Sequence, residues 1–354
     1  MRIQDAWLNP DLTRRARSSA AESKGELHSR AWAGFGVSCD GARVSWVQLT
    51  TVPRERGDGR PIVHAGRVVW FRSDGGLAYD ARTNEWRSLD TPSGWRDGGI
   101  VVSIGDDLIV WSGMYPGQRI DATGASHRIS EVRQPSVRKL ARCAWTGREL
   151  VVWGGWNQRP PRPRTPRLNG AAYDAARDVW RKLPKTNAPT TPNGLHLWTG
   201  SEFWIWAGEV KKGTWKTLGA GCAYDPAADT WRSLADLPGD PDYPFAVVRL
   251  TDAALMVRRD DLETCSTWGY EPRSDLWEPL APPPEGGAGP PRLLDCGGRI
   301  VLLLAGQTFE YLVMRDAWAR LPSLPNEPHH LLWLDGALLA FMSDGPVYRL
   351  VMPT

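Results

Sequence analysis

Short apolar runs recur along this chain, and each stops at a glycine. They read LIVWSG (108–113), LVVWGG (150–155), FWIWAG (203–208), IVLLLAG (300–306) and ALLAFMSDG (337–345). A run that is apolar at nearly every residue, rather than at alternate ones, is a strand buried on both faces. Upstream of each run lies a shorter strand and a two-residue turn containing glycine, as in AWTGRELVVW (144–153) and LWTGSEFWIW (197–206). That arrangement is a hairpin signal. Downstream comes a second hairpin, marked by Tyr-Asp and, seven residues after the tyrosine, by Trp.

The second mark repeats around the chain. Tyr79-Asp80 precedes Trp86, Tyr173-Asp174 precedes Trp180, and Tyr224-Asp225 precedes Trp231. Tyr270-Glu271 precedes Trp277, and Tyr311 precedes Trp318 with Leu312 in place of the acid. Ile120-Asp121 and His127 stand in the same frame as a decayed copy. The Asp is expected to start each turn by accepting backbone N–H groups. Four antiparallel strands in about 40–50 residues make one propeller blade, which cannot bury both faces alone. Every blade must therefore offer its neighbour the same packing groups, and the Tyr and Trp are read as those wedges, with no chemistry assigned to them.

The glycines that close the second strand (Gly154-Gly155, Gly208, Gly306), followed by Tyr-Asp and then Trp, resemble the pattern of kelch-repeat propellers. The chain is thereby similar to the galactose oxidase central domain and to bacterial kelch-like proteins over roughly residues 60–354. The resemblance implies an all-β, kelch-like β-propeller of four-stranded blades forming one domain over residues 1–354. Seven blades are expected, and eight if residues 11–35 provide inner strands instead of an irregular or helical insertion. The ring is expected to close by pairing N- and C-terminal strands. Tyr348 leaves its repeat without a following Trp, and IQDAWLNP (3–10) matches MRDAWARLP (314–322), so residues 3–9 are expected to supply the missing outer strand. In GVSCDGARVSW (36–46), Asp40 and Trp46 also stand in the frame of a second hairpin.

Composition agrees with short strands and tight turns. Among 354 residues there are 36 Gly, 29 Pro and 20 Trp, a mixture that argues against a helical bundle. Net charge is +3, so nothing global points to nucleic acid or to an anionic membrane. No apolar run reaches the ~18 residues of a bilayer span. The N-terminal segment lacks an apolar centre, which speaks against a secretory signal. Five widely spaced cysteines (Cys39, Cys143, Cys222, Cys265, Cys296) form no C-x-x-C pair and read as small hydrophobes in a reducing compartment, so a cytoplasmic monomer is expected.

Motifs for nucleotide, hydrolase, zincin and EF-hand chemistry are absent. The six histidines do not match the copper site of galactose oxidase, and the iron motif of the kelch-like plant specifier proteins is missing, so no metal or cofactor is expected. Candidate chemistry comes from position. In a propeller, the loops entering the innermost strands and those leaving the second strands ring one mouth of the central channel. The entry loops carry Trp95, Arg96, Asp97, Arg138, Asn193, His196, Asp242, Tyr243, Arg292, Glu327, His329 and His330. His196 or His330, with Asp97, Asp242 or Glu327, is the expected acid–base set. Arg96, Arg138 and Arg292 would hold negative charge, Asn193 and His329 would add polar contacts, and Trp95, Trp156 and Tyr243 would pack an apolar part. Adjacent on a strand, His329 and His330 should face opposite ways.

The loop GWNQRPPRPRTPRLNG (155–170) adds Arg159, Arg162, Arg164 and Arg167 without an acid, and the next blade's loop adds Lys211, Lys212, Trp215 and Lys216. This basic lip suits the carboxylate or phosphate of a ligand, or an acidic protein partner. Two readings stay open. One is a small polar, anionic organic molecule bound or turned over in the funnel by metal-independent acid–base chemistry, with kelch-like sugar-acid epimerases as the analogy for an isomerase, lyase or hydrolase. The other is a protein-interaction scaffold using the basic loop face.

Overall fold

The computed structural model describes residues 45–53, 60–72, 75–92, 95, 99–111, 116–157, 165–206, 208–212, 214–240, 245–251, 253–261, 263–284, 289–343 and 345–351. They form seven four-stranded antiparallel sheets, which are the blades of a β-propeller. In chain order, blade 1 spans residues 62–89, blade 2 spans 100–128, blade 3 spans 142–182 and blade 4 spans 195–234. Blade 5 spans 245–280, blade 6 spans 292–321, and blade 7 takes three strands from 328–351. Each innermost strand touches the innermost strands on either side, and blade 7 meets blade 1, so the circle is closed. Among the described residues no helix is long and apolar enough to cross a membrane.

The apolar runs are the second strands. Leu150–Trp153, Phe203–Trp206 and Ile300–Leu304 are buried along their whole length, because sheet faces lie against them on both sides. The tyrosines and tryptophans are the wedges. Tyr173 and Tyr224 are buried, as are Trp180 and Trp231. Each Tyr lies directly opposite its Trp on the paired strand, with ring centroids 4.9–5.0 Å apart in blades 1, 3, 4, 5 and 6. The last residue of the second strand stacks on the next blade's indole, as in Trp111 on Trp180 (5.9 Å), Trp153 on Trp231 (4.9 Å) and Trp206 on Trp277 (5.5 Å). In blades 1, 3 and 4 glycine opens the third strand because the last ring of the second strand lies over it. A Cβ on Gly221 would fall 2.3 Å from Trp206 Nε1.

A further residue makes the wedge a clamp. Two positions before each Trp stands Asn84, Asp178, Asp229, Asp275 or Asp316, in the left-handed conformation (φ 45–59°) that Asn and Asp tolerate. Its Oδ1 accepts the tyrosine hydroxyl at 2.6–3.0 Å in all five. In three junctions the same oxygen also accepts a backbone N–H of the preceding blade: Ser130, Ala235 or Ala281, at 2.7–2.9 Å. The Trp indole then donates to the carbonyl of that very residue. One residue is thus held by both its backbone groups. The gripped residue lies four positions after its own blade's indole position, where blade 3 carries Pro184, which has no N–H. There Asp229 takes the Arg181 guanidinium at 2.6 Å instead. The first Asp of each repeat behaves as expected, Asp174 Oδ1 accepting from Ala176 N at 3.0 Å and Arg177 N at 3.1 Å.

Two frames differ from the sequence expectation. The outer strand of blade 7 is Val47–Thr51, so an N-terminal segment does close the ring, but it is not residues 3–9, which lie outside the described residues along with 11–35. The register Val47↔Arg349 and Gln48↔Tyr348, continued by one residue, sets Trp46 beside Leu350. Leu350 faces Leu338, as Tyr173 faces Leu150 in blade 3. Leu350 is therefore the phenol position, Tyr348 is not, and Trp46 is the indole of the seventh blade. Its Nε1 donates to Pro322 O of blade 6 at 2.8 Å. In blade 2 the hairpin is one residue shorter, and Ile120 pairs with Ser126. Ser126, not His127, holds the indole position, while His127 turns out to solvent on Asp121 at 3.1 Å.

Candidate functional site

The first residues of the inner strands form one end of the channel. Arg60 precedes blade 1, Arg142 starts blade 3, His196 lies at the start of blade 4, Arg292 starts blade 6, and His329 and His330 start blade 7. Their charges act on one another. Burial, then Arg142 and Arg60, push the His196 imidazole down to about 3. Burial, then His329, Arg292 and Arg60, push His330 down to about 4. Both rings are neutral at pH 7. Burial also lowers Arg142, with Arg60 adding to it, and drives the neighbouring Cys143 thiol up to about 12, which leaves it inert as a nucleophile.

Arg142 has no hydrogen-bond or ion-pair partner among the described residues, and its Nε is buried. Arg292 is bound instead. Its Nη1 donates to Pro328 O at 2.7 Å and His329 O at 3.0 Å, and its Nη2 lies 3.4 Å from Glu327 Oε1, tying blade 6 to the entry of blade 7. The register of blade 7 shifts between Pro328 and His330, so His329 is an extra residue in the ladder. Such a bulge re-aims side chains. The two imidazoles accordingly come together, centroids 4.2 Å apart, rather than facing opposite ways. His330 also stands edge-on to Trp70 at 5.1 Å, and its buried Nε2 has no hydrogen-bond partner among the described residues.

Three expected ligand contacts are occupied with packing. Arg138 is buried and its guanidinium is spread over Ser136 O, Gly154 O, Asn169 O and Asn169 Oδ1 at 2.7–3.0 Å, holding the entry loop of blade 3 to the exit of its second strand. Trp156 is fully buried and bridges Lys139. Trp95 is buried against Phe71 of blade 1, centroids 6.0 Å apart. It covers the ring that, in other junctions, meets the next blade's indole. Asn193 is half-buried, and its carbonyl leaves no room for a Cβ at Gly208. Arg96, Asp97, Arg162, Arg164, Asp242 and Tyr243 lie outside the described residues.

The long loops of blades 3 and 4 leave as two-stranded ribbons, Trp156–Asn157 with Thr165–Pro166 and Glu209–Lys212 with Thr214–Thr217. Blade 6 makes the same connection with only Ala305 and Gly306, so the rim is raised on one side. Arg142 was missed because the entry loop of blade 3 was read only as far as Lys139, and Arg60 because the approach to blade 1 was not among the entry loops considered. Lower down, His64 Nδ1 lies 2.8 Å from Ser103 Oγ between blades 1 and 2. Among the described residues no group of His, Cys, Asp and Glu has the arrangement of a metal site. No protein-family model matches the chain, and no curated protein matches it either.

Proposed function

We propose that this kelch-like propeller binds a small anionic organic molecule at the end of its channel where Arg60, Arg142, His196 and His330 converge. The observation that carries the reading is Arg142. A half-buried guanidinium without a carboxylate is costly, and an anion is the partner that relieves it. The neutral imidazoles beside it offer hydrogen bonds in either direction. An anion seated there also offsets the field of Arg60 and Arg142, so His196 and His330 regain proton affinity. Their use as an acid–base pair on the bound molecule follows from that change.

The probe is benzenesulfonate, whose own charge stays constant from neutral to mildly acid pH, followed by calorimetry. The bound complex holds more protons on the imidazoles than the free protein does. Affinity therefore rises as pH falls from about 7 towards about 5, with proton uptake on binding. Arg142→Gln should weaken binding by about tenfold, the worth of one charge-assisted hydrogen bond, without lowering thermal stability. Unchanged affinity in that variant, or proton release on binding, would overturn the reading.

A further inference from the structure

The junction between blades 1 and 2 lacks the wedge that fills its counterparts. The phenol position of blade 2 is Ile120 and its indole position is Ser126, whose hydroxyl turns to Gln118. The residue that a clamp would grip on blade 1, four positions after Trp86, is Asp90. Nothing among the described residues holds its backbone N–H or carbonyl. Beside these two positions lies an open groove of about 880 Å³. Its floor is Val69 and Ala78 of blade 1 and Leu108 and Ile120 of blade 2. Trp95 packs on Phe71 at the edge of the groove, and of the floor residues Val69, Ala78 and Leu108 are buried while Ile120 is half-buried.

The rim is acidic. Asp90, Asp106 and Asp121 line the groove, against Arg128 as the cation with no ion pair among the described residues. Arg67, also on the rim, is already paired with Asp80 at 3.2 Å. Asp121 is held ionised by hydrogen bonds from Thr123 and His127, while Asp90 and Asp106 have no ion pair among the described residues.

We infer that this groove is a binding site for an arylalkylamine: a flat aromatic ring takes the vacated wedge, and its ammonium group meets Asp90 and Asp106. The ring stands in the vacated wedge position against the half-buried Ile120, and the volume lies within the range of small-molecule sites. The site is separate from the channel mouth and opposite to it in ligand charge.

Titration of the full chain with tryptamine, read by calorimetry, tests the assignment, with indole-3-propionate and butylamine as comparison ligands. Tryptamine should bind, and the other two should bind at least about tenfold more weakly, since each lacks one of the two contacts. Asp90→Asn with Asp106→Asn, both at the surface, should cost tryptamine about tenfold or more and leave benzenesulfonate binding at the channel unchanged. Ser126→Trp, which rebuilds the wedge, should abolish tryptamine binding. Equal binding of indole-3-propionate, or full affinity in the double Asn variant, would overturn the inference. It would also fall if tryptamine bound only after removal of residues 1–10, since the occupant would then be the chain's own Asp5-Ala6-Trp7.

Discussion

The junctions on the two sides of the ring teach most when set against each other. Between blades 4 and 5, Trp206, Tyr270 and Trp277 stack within 5.0–5.5 Å of one another. Asp275 accepts Tyr270 OH at 2.6 Å and Ala235 N at 2.7 Å, and Ala235 O receives both indole N–H groups at 3.1 and 3.4 Å. Between blades 1 and 2, by contrast, the phenol is Ile120, the indole is Ser126, and Asp90 is left ungripped. Sheet pairing within blade 2 is intact all the same. Backbone hydrogen bonding therefore builds a blade without the aromatic pair, and the pair's separate task is to seal one blade to the next. A junction relieved of that task is free to hold a ligand.

Breaking a sealed junction should have the largest effect. Trp180 is buried and donates to Ser130 O at 2.8 Å, so Trp180→Ala should cost about 3–5 kcal/mol in chemical denaturation. Ser126→Ala, at the same position of the unsealed junction, should fall within about 0.5 kcal/mol. A smaller effect isolates the clamp from the wedge. Asp316→Ala leaves Tyr311 OH and Ala281 N without their acceptor and should cost about 2 kcal/mol. Asp316→Asn keeps an acceptor and the left-handed backbone, as Asn84 does in blade 1, and should cost less than half of that. Equal losses for the two Asp316 variants would mean that charge, rather than hydrogen-bond geometry, holds the blades.

Blade number and wedge residues were legible because packing repeats, and repetition is a sequence signal. Departures occurred where a copy changes length or identity. Leu350 replaces the ring-closing phenol while Tyr348 stands two residues earlier, which drew attention to Trp7 instead of Trp46. A turn shortened by one residue moved the indole position of blade 2 from His127 to Ser126. The Asp or Asn before each Trp recurs five times and was open to view, but its hydroxyl acceptor role depends on a left-handed turn that spacing does not reveal. The channel mouth was less legible. Loop position says which end of the ring a residue occupies, not whether its side chain is consumed there. Arg138 holds backbone carbonyls, Trp95 and Trp156 pack, and a bulge joins His329 to His330, all through contacts distant in sequence.

Native-state amide hydrogen exchange bears most directly on the difference between the junctions. Ser130, Ala235 and Ala281 occupy the same position as Asp90, and all four follow an outer strand. If the Asp and Trp clamp seals the ring, the first three N–H groups exchange only with large-scale unfolding while that of Asp90 exchanges fast. Comparable protection at all four would contradict the account, since the blades would then be held together without the clamp.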